Sequence, residues 1–280
     1  MEQAGGRLWV VATPIGNLDD LSPRAREVLA GVSLVAAEDT RHSAAILALA
    51  GSRAQRVALH EHNEREQAGR IVMRLRQGED VALVSDAGTP LVSDPGFRLV
   101  QAARAAGCAV SPVPGPCAAI AALSVAGLPS DRFVFEGFLP ARAGPRRQRL
   151  QELAGETRTL IFYESSHRIA DSLADFVGVF GGEREAVLAR ELTKLFETVL
   201  AGSLQELAAR VAGDPDQRRG EFVLVVGGAA AQAAEARLAE GRRVFALLKG
   251  ELPPARAARL AAAISGASRR EIYAGGEEER

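Results

Sequence analysis

The chain has 280 residues, of which 47% are hydrophobic and 25% charged, and its formal net charge is -1. This balance is typical of a globular protein and excludes a strongly basic chain, although a local basic patch would be enough to bind a nucleic acid. The two cysteines, Cys108 and Cys117, form neither a disulfide framework nor a zinc motif, which favours a reducing compartment such as the cytoplasm. No apolar run is long enough to span a bilayer, and the first residues lack a signal-peptide pattern, so we expect no membrane association.

The first part of the chain alternates apolar segments with helical patterns. The predicted strands cover residues 7–14, 33–39, 56–62, 80–86 and 108–115. The predicted helices between them cover residues 22–32, 40–51, 63–78 and 97–106. This alternation indicates an α/β fold with a mostly parallel sheet covered by helices.

A second α/β series follows a turn near Gly127, and its strands suggest a more mixed arrangement. Its predicted strands cover residues 132–140, 158–165, 184–192 and 220–228, with helices at 166–181 and 203–212. Between the first two strands, residues 141–153 read as a basic, loop-like segment. We therefore predict an N-terminal domain over residues 1–124, a second domain over 125–228, and a linker with a helical extension over 229–280.

The predicted extension begins with an alanine-rich segment that suits either a linker or a frayed helix. A helix starting at Pro254, a turn at Gly266 and a helix starting at Ser268 follow. A helix-turn-helix and a plain helical hairpin both have this pattern.

Four loops at the ends of predicted strands have an unusual composition. They cover residues 13–20, 37–42, 85–96 and 113–119. Ligands of open α/β sheets bind outside the carboxyl ends of the strands, where glycine allows close approach of the backbone and proline fixes the loop shape. The loops therefore predict a site for a polar, uncharged or zwitterionic molecule such as a nucleoside. The sequence lacks the glycine motifs of dinucleotide sites and of P-loops.

Four other polar segments have more than one interpretation. His60–Glu64 offers metal-ligand types, but a polar loop or a substrate contact is favoured, and we expect no metal. Ser165 and Ser166 lie beside His167 without a nucleophile-elbow motif, which favours a helix-capping serine. Arg190–Lys194 follows an apolar strand and suits the rim of an active site or a surface ion-pair face. The basic segment 142–149 suits phosphate contacts or a solvated loop equally well.

Several longer segments resemble one known family. They read ATPIGNLDDLSPRAREVL, AAEDTRH, LVSDAGTPLVSDPG, PVPGPCAAIAALSVAGLPSDRFVFEGFLP, RTLIFYESSHR and LARELTKLFET. In order and with few gaps from about Leu8 to Gly228, they resemble the ribosomal RNA small subunit methyltransferase I family of the tetrapyrrole methylase superfamily. The tail is similar to the small helix-turn-helix extension of that family. Gly88-Thr89-Pro90 stands where the tetrapyrrole branch has Gly-Asp-Pro.

The resemblance implies two α/β domains in a homodimer, with S-adenosylmethionine held between the domains. It implies methyl transfer to the ribose 2′-oxygen of a cytidine in 16S rRNA at the decoding centre. The implied substrate is an assembled or nearly assembled small ribosomal subunit, with no DNA partner. Position by position, the resemblance places nine residues around the cofactor: Pro14, Ala87, Gly88, Thr89, Val92, Cys117, Ala118, Tyr163 and Ala189.

Transfer to a ribose hydroxyl requires a group that accepts its proton. The candidates near strand ends are Glu38, Asp39, Glu164, Glu191 and Lys194, of which we favour Glu191 or Lys194. The candidate RNA contacts are Arg41, Arg142, Arg146, Arg147, Arg149, His167, Arg168 and Arg190. The alternative is that these charges pair with one another and orient the loops.

Two other functions fit the same fold. One is methylation of a tetrapyrrole or another small molecule, against which the basic segment and the tail argue. The other is a non-catalytic module that binds a nucleoside or the ribosome, against which the polar residues at several strand ends argue.

Overall fold

The computed structural model describes residues 5–60, 62–229 and 231–274 of a chain that divides into two compact units. The first unit comprises the residues up to Ala121 together with Leu192–Leu195. The second unit comprises Ala122–Glu191 and the residues from Phe196 onwards.

The described part of the first unit holds a five-stranded sheet in which neighbouring strands pair in parallel. The strands are β1 (Arg7–Val11), β2 (Leu34–Ala37), β3 (Gln55–Ala58), β4 (Val81–Val84) and β5 (Ala109–Val113), in the order β3-β2-β4-β1-β5. The helices are α1 (Pro23–Gly31), α2 (Ser43–Ala50), α3 (Glu64–Arg76) and α4 (Phe97–Ala105), and α5 (Ala118–Val125) begins in this unit. The predicted parallel sheet is confirmed.

The central strands of this sheet are buried on both faces, which explains their continuous apolar sequences. On β2, Val35 packs into one core cluster with Leu29 of α1, whereas its neighbour Ala36 packs into another with Ile71 of α3 and Leu99 of α4. Alternate residues of a strand point to opposite faces, so helices on both sides bury the whole strand.

The second unit contains a mixed sheet. Its strands are β6 (Phe133–Phe138), β7 (Thr159–Ser165), β8 (Glu185–Arg190), β9 (Thr198–Ser203) and β10 (Glu221–Val226), in the order β6-β7-β10-β8-β9. Strands β6 and β7 pair in parallel, and the other neighbours pair antiparallel. Its helices are α6 (Ala143–Leu153), α7 (Ile169–Phe180) and α8 (Leu204–Gly213). The mixed arrangement was predicted, but β9 was missed.

The basic segment that read as a loop is the helix α6, so that expectation was wrong. Arg146, Leu150 and Leu153 are buried on one side of this helix, at helical spacing. The Arg146 guanidinium contacts the Asp175 carboxylate of α7 at 2.6 Å, and both side chains are only 5% exposed. The helical spacing of the buried positions was not recognised in the sequence, because one of those positions is occupied by an arginine.

The described part of the C-terminal extension contains three helices joined by short connections. It consists of α9 (Ala231–Leu248), α10 (Pro254–Ser265) and α11 (Arg269–Ala274), so the alanine-rich segment belongs to a helix. Gly266 ends α10 in the left-handed conformation, with φ of 69°. Phe245, Ala258, Ala261 and Ile272 share a small core that joins the three helices. Among the described helices, none is long and apolar enough to cross a membrane.

Candidate functional site

Three of the four predicted loops meet at the carboxyl edge of the first sheet. Strands β4, β1 and β5 are neighbours, so the loops that follow them leave the sheet side by side. Thr13 and Gly88 exchange two backbone hydrogen bonds, of 2.8 and 3.1 Å, which join the first and third loops. The Thr89 hydroxyl donates to the Pro116 carbonyl at 2.9 Å and so ties the third loop to the fourth.

The remaining loop, after β2, is attached through Asp86. One carboxylate oxygen of Asp86 accepts a hydrogen bond from the Asp39 backbone N–H, and the other lies 3.0 Å from Nδ1 of His42. This contact raises the pKa of His42, chiefly through the hydrogen bond to Asp86. All four loops therefore form one connected surface.

The backbone of the 85–96 loop adopts conformations that few residues tolerate. Gly88 has φ of 80°, and an added Cβ would lie 3.2 Å from Cγ2 of Ile15. Leu91 and Ser93 also have positive φ, of 73° and 67°, although neither is glycine. Such conformations persist only where the surroundings impose them, and they concentrate at ligand sites.

Glu64 anchors the far end of this loop, a role that the sequence did not reveal. Its buried carboxylate accepts backbone hydrogen bonds from Gly96 at 3.0 Å and Arg98 at 2.7 Å, at the start of α4. A carboxylate is favourable there because the first turn of a helix has unsatisfied N–H groups. Glu61, which belongs to the same polar segment His60–Glu64, lies outside the described residues. Among the described residues, no cluster of acidic, histidine or cysteine side chains is arranged to hold a metal ion.

Acidic side chains gather at the same edge with very different proton affinities. The pKa of Asp94 is raised to about 6, first by burial and then by the neighbouring charges of Glu38 and Asp86. The pKa of Asp39 is lowered to about 2, mainly by its hydrogen bonds from Arg41. Asp39 is therefore a poor proton acceptor. Its pairing with Arg41 agrees with the alternative interpretation, in which the charged side chains pair with one another and orient the loops.

The predicted cofactor residues of the first unit all lie on these connected loops. Pro14 and Gly88 are buried, whereas Ala87 is exposed. Thr89, Val92, Cys117 and Ala118 are half-buried. The surface they share is lined by small side chains and by backbone.

The segment Leu192–Leu195 also packs with the first unit. The Asn17 backbone N–H donates to the Thr193 hydroxyl at 3.1 Å. A Cβ on Gly16 would lie 2.4 Å from Cγ of Lys194, so the glycine is what allows the lysine side chain to lie over this loop. Lys194 is half-buried at the edge where the four loops meet.

In the second unit, Tyr163 and Ala189 lie in one row across the sheet, because both pair with Val223 of β10. The Tyr163 ring makes edge-to-face contacts with Phe135 and Phe138. Ala189 is fully buried, so its methyl group is part of the packed interior.

Glu164 and Arg168 hold the end of β7 to the start of α7. The buried Glu164 carboxylate accepts hydrogen bonds from the Ser172 hydroxyl at 2.5 Å and from Nε of Arg168 at 2.7 Å. We therefore correct its assignment from candidate proton acceptor to structural carboxylate. Helix α7 has Arg168 rather than a serine at its N-cap, so the expected capping serine was also wrong.

Arg190 joins two loops and does not face solvent. Its Nε donates to the Arg219 carbonyl and its Nη1 to the Phe196 carbonyl, each at 2.8 Å. The next residue, Glu191, has φ of 51° and accepts a hydrogen bond from the Glu221 backbone N–H at 2.9 Å. We therefore correct the assignment of Arg190 from phosphate contact to structural arginine, because its guanidinium holds these two carbonyls.

The remaining predicted RNA contacts differ widely in exposure. Arg41, Arg142 and His167 are exposed, and the side chain of Arg147 is 62% exposed despite its 2.6 Å contact with Asp175. Arg149 is paired with Glu136 and Glu152. Arg146 is not an RNA contact, because it is buried and its guanidinium is occupied by Asp175.

Comparisons with known proteins identify the family. Residues 7–208 match the family of Tetrapyrrole (Corrin/Porphyrin) Methylases, and residues 235–278 match the RsmI C-terminal HTH domain. Ribosomal RNA small subunit methyltransferase I from Xylella fastidiosa strain Temecula1 is 62% identical over 270 residues, which are 96% of this chain and 98% of that protein. The protein of that name from Pseudomonas aeruginosa is 60% identical over 271 residues, 96% of each chain. The chain belongs to the ribosomal RNA small subunit methyltransferase I family.

A solved structure shows the fold of this methyltransferase family. Uroporphyrin-III C-methyl transferase from Thermus thermophilus, complexed with S-adenyl homocysteine, has a TM-score of 0.55 and 19% identity. The match covers 80% of this chain and 97% of that one. The predicted α/β tetrapyrrole methylase fold with a helical extension is confirmed.

The charge of Asp94 in this methyltransferase should reduce stability above its raised pKa. Because the folded state binds the proton more tightly than the unfolded state, the contribution of Asp94 to stability is lost as pH rises from about 4 to 6. Asp94→Asn should therefore gain about 1–2 kcal/mol relative to the natural chain across this interval, a value reduced for partial solvent exposure. Urea unfolding at several pH values, followed by fluorescence of the single tryptophan, Trp9, reports on the first unit.

Asp39→Asn is the matched control for this titration. Its carboxylate has a lowered pKa, so its substitution should destabilise the first unit at neutral pH and have less effect as pH falls toward 2. A stability difference for Asp94→Asn that stays constant from pH 4 to 7 would contradict the assignment.

Proposed function

We propose that this chain transfers a methyl group from S-adenosylmethionine to the ribose 2′-oxygen of a cytidine in 16S rRNA, at the decoding centre of a nearly assembled small subunit. The observation that carries the proposal is the 62% identity to a ribosomal RNA small subunit methyltransferase I across 96% of this chain. The match extends to the C-terminal helices, which the family model for the HTH domain covers. A homodimer in the cytoplasm is part of the same proposal and rests on the family resemblance.

The connected loops of the first unit fit S-adenosylmethionine. Gly88 packs so closely on Ile15 that a side chain would intrude, and Ala87, Cys117 and Ala118 keep the neighbouring surface small. Backbone groups and small side chains suit an adenosine, while the carboxylates at the same edge complement a ligand with positive charge. Thr89 would fix the loop rather than bind, since its hydroxyl is bonded to Pro116.

When bound, S-adenosylmethionine supplies a methyl group on a positively charged sulfur, which is already activated for transfer. The protein therefore contributes mainly position. The Thr13–Gly88 pair, Asp86 and Thr89 hold the four loops in one arrangement, so little ordering remains to be done when a ligand binds. The exposed Arg142, Arg147 and His167 of the second unit would hold phosphates of the RNA.

Two groups remain as acceptors of the ribose hydroxyl proton. Lys194 lies over Gly16, and the Glu191 carboxylate accepts a hydrogen bond from the Glu221 backbone N–H. Glu38 is half-buried and lies close enough to Asp94 to raise its pKa, so we assign Glu38 to that acidic cluster. We propose that either Lys194 or Glu191 accepts the proton.

Methylation of a tetrapyrrole is the second candidate function, because the solved structure with the same fold is a uroporphyrin-III methyltransferase. The proposal for rRNA is favoured since relatives named for rRNA match nearly the whole chain, whereas that structure matches 80% of it. A non-catalytic binding module is disfavoured by the intact polar groups at the strand ends.

Gly88→Ala should weaken binding of S-adenosylmethionine by at least 10-fold. The substitution strains the backbone at φ of 80° and places a methyl group 3.2 Å from Cγ2 of Ile15, so that Ile15 or the loop must shift. Gly51→Ala is the matched control, because φ is 70° there but nothing lies within 4 Å. Both variants place a side chain at positive φ, so backbone strain alone cannot explain a difference between them. Calorimetric titration should show lost affinity only for Gly88→Ala. Equal affinities of the two variants would place the cofactor elsewhere.

Removing the proton acceptor should reduce the methylation rate by about 100-fold or more while cofactor affinity is retained. The test compares Lys194→Met with Glu191→Gln in single-turnover assays. Glutamine keeps the oxygen that accepts from Glu221, so that variant removes basicity without removing the hydrogen bond. Losses below 10-fold in both variants would show that neither residue takes the proton.

The substrate is tested by methyl transfer from labelled S-adenosylmethionine to small subunits that lack the modification. Naked 16S rRNA and uroporphyrinogen serve as parallel substrates, and mass spectrometry maps the labelled nucleotide. We expect a ribose-methylated cytidine from subunits alone, because the proposed target is formed by assembly. Label in uroporphyrinogen would establish the second function, and tight cofactor binding without transfer to any substrate would favour the binding module.

A further inference from the structure

A cavity of about 450 Å³ lies in the first unit beside β3, the last strand in the order of the sheet. Leu34, Val57 and Ile71 give it an apolar floor. Gln55 and Gln67 add amide groups, and the guanidinium groups of Arg56, Arg70 and Arg74 complete the lining. We call this cavity the arginine pocket. Its volume is in the range of small-ligand sites, and none of its residues was assigned to the cofactor or to the RNA above.

Arg74 fixes one wall of the arginine pocket. Its Nη2 contacts the Glu79 carboxylate at 2.5 Å, and its Nη1 donates to the side-chain oxygen of Gln55 at 3.0 Å. The guanidinium therefore bridges the end of α3 and the strand β3. A wall that is already held in place loses little entropy when a ligand binds.

Arg56 and Arg70 are the exposed arginines of the pocket lining, and they have weaker partners. Nη1 of Arg56 donates to the Thr40 carbonyl, at 3.2 Å, in the loop after β2. Arg70 pairs with Glu66 one helical turn earlier, at 2.7 Å, and both side chains are more than 60% exposed. Exposed pairs of this kind contribute little, so an incoming phosphate can take the place of Glu66.

We propose that the arginine pocket binds one unpaired nucleotide of the RNA substrate, outside the reaction centre. Arg56 and Arg70 bind its phosphate, and the base lies on the apolar floor with its edge facing Gln55 and Gln67. Single-stranded RNA is recognised in this way, through splayed bases and phosphate contacts. The proposal rests on the proposed function for the choice of RNA. The contact between Arg56 and Thr40 joins the pocket to the four connected loops.

The test uses the full chain and unmodified small subunits. The variants are Arg56→Ala, Arg70→Ala and their combination, with Arg70→Lys to retain charge. Arg65→Ala is the matched control, since Arg65 is an exposed arginine of the same helix that does not line the pocket. Arg74 is left unchanged because it holds α3 to Gln55. Two quantities are measured: the dissociation constant of the protein–subunit complex at several salt concentrations, and KM and kcat for methyl transfer.

We expect the double variant to raise the dissociation constant and KM for subunits about 10-fold while kcat stays within twofold. Because both arginines bind one phosphate, the double variant should reduce the slope of the salt dependence by about 0.7. Arg70→Lys should recover most of the affinity, and Arg65→Ala should behave like the natural chain.

The proposal is overturned if the double variant binds subunits as tightly as the natural chain, or if Arg65→Ala loses as much affinity. The binding measurement also separates this proposal from the proposed function. Subunit binding that depends on Arg56 and Arg70, without any methyl transfer, would support the pocket and reject the reaction. Failure of the natural chain to bind subunits at all would reject RNA as the occupant.

Discussion

The paired backbone hydrogen bonds between Thr13 and Gly88 are the constraint on which the candidate site depends. They turn the loops after two neighbouring parallel strands into a short antiparallel bridge at the sheet edge. Gly88 can enter that bridge because it tolerates a positive φ and has no side chain to meet Ile15. Once these loops are fixed, Thr89 reaches Pro116 and Asp86 reaches Asp39, so the other two loops follow.

This arrangement also explains the acidic character of the edge. Bringing four strand ends together places Glu38, Asp86 and Asp94 close to one another, and burial of Asp94 adds to the cost of its charge. The fold tolerates that cost because the buried strands behind the loops supply the stability. Local strain and unfavourable charge at a ligand edge are therefore consistent with a site built for binding rather than for maximum stability.

Much of this could be predicted from the sequence. Buried parallel strands read as uninterrupted apolar runs, and glycine and proline mark the loops, so the first sheet and its four loops were predicted correctly. Helix α6 was missed because Arg146 fills a buried position, and β9 was missed because its residues are mostly half-buried or exposed. The role of Glu64 depends on the distant backbone of Gly96 and Arg98, which no local pattern connects to it.

The number of arginines in a stretch of sequence does not show which of them are available to bind a phosphate. A guanidinium has five donors in a rigid plane, so one arginine can hold several carbonyls or carboxylates at once. Arg184 holds the carbonyls of Ala154, Glu156 and Gly227, and burial lowers its pKa to about 10. Arg190 clamps two loops in the same manner. An arginine whose donors are used up in this way cannot also bind a phosphate. The surface that meets RNA must therefore be sought among exposed arginines, such as Arg142 at the N-cap of α6 and the weakly paired Arg70 on α3, rather than in the most arginine-rich stretch of sequence.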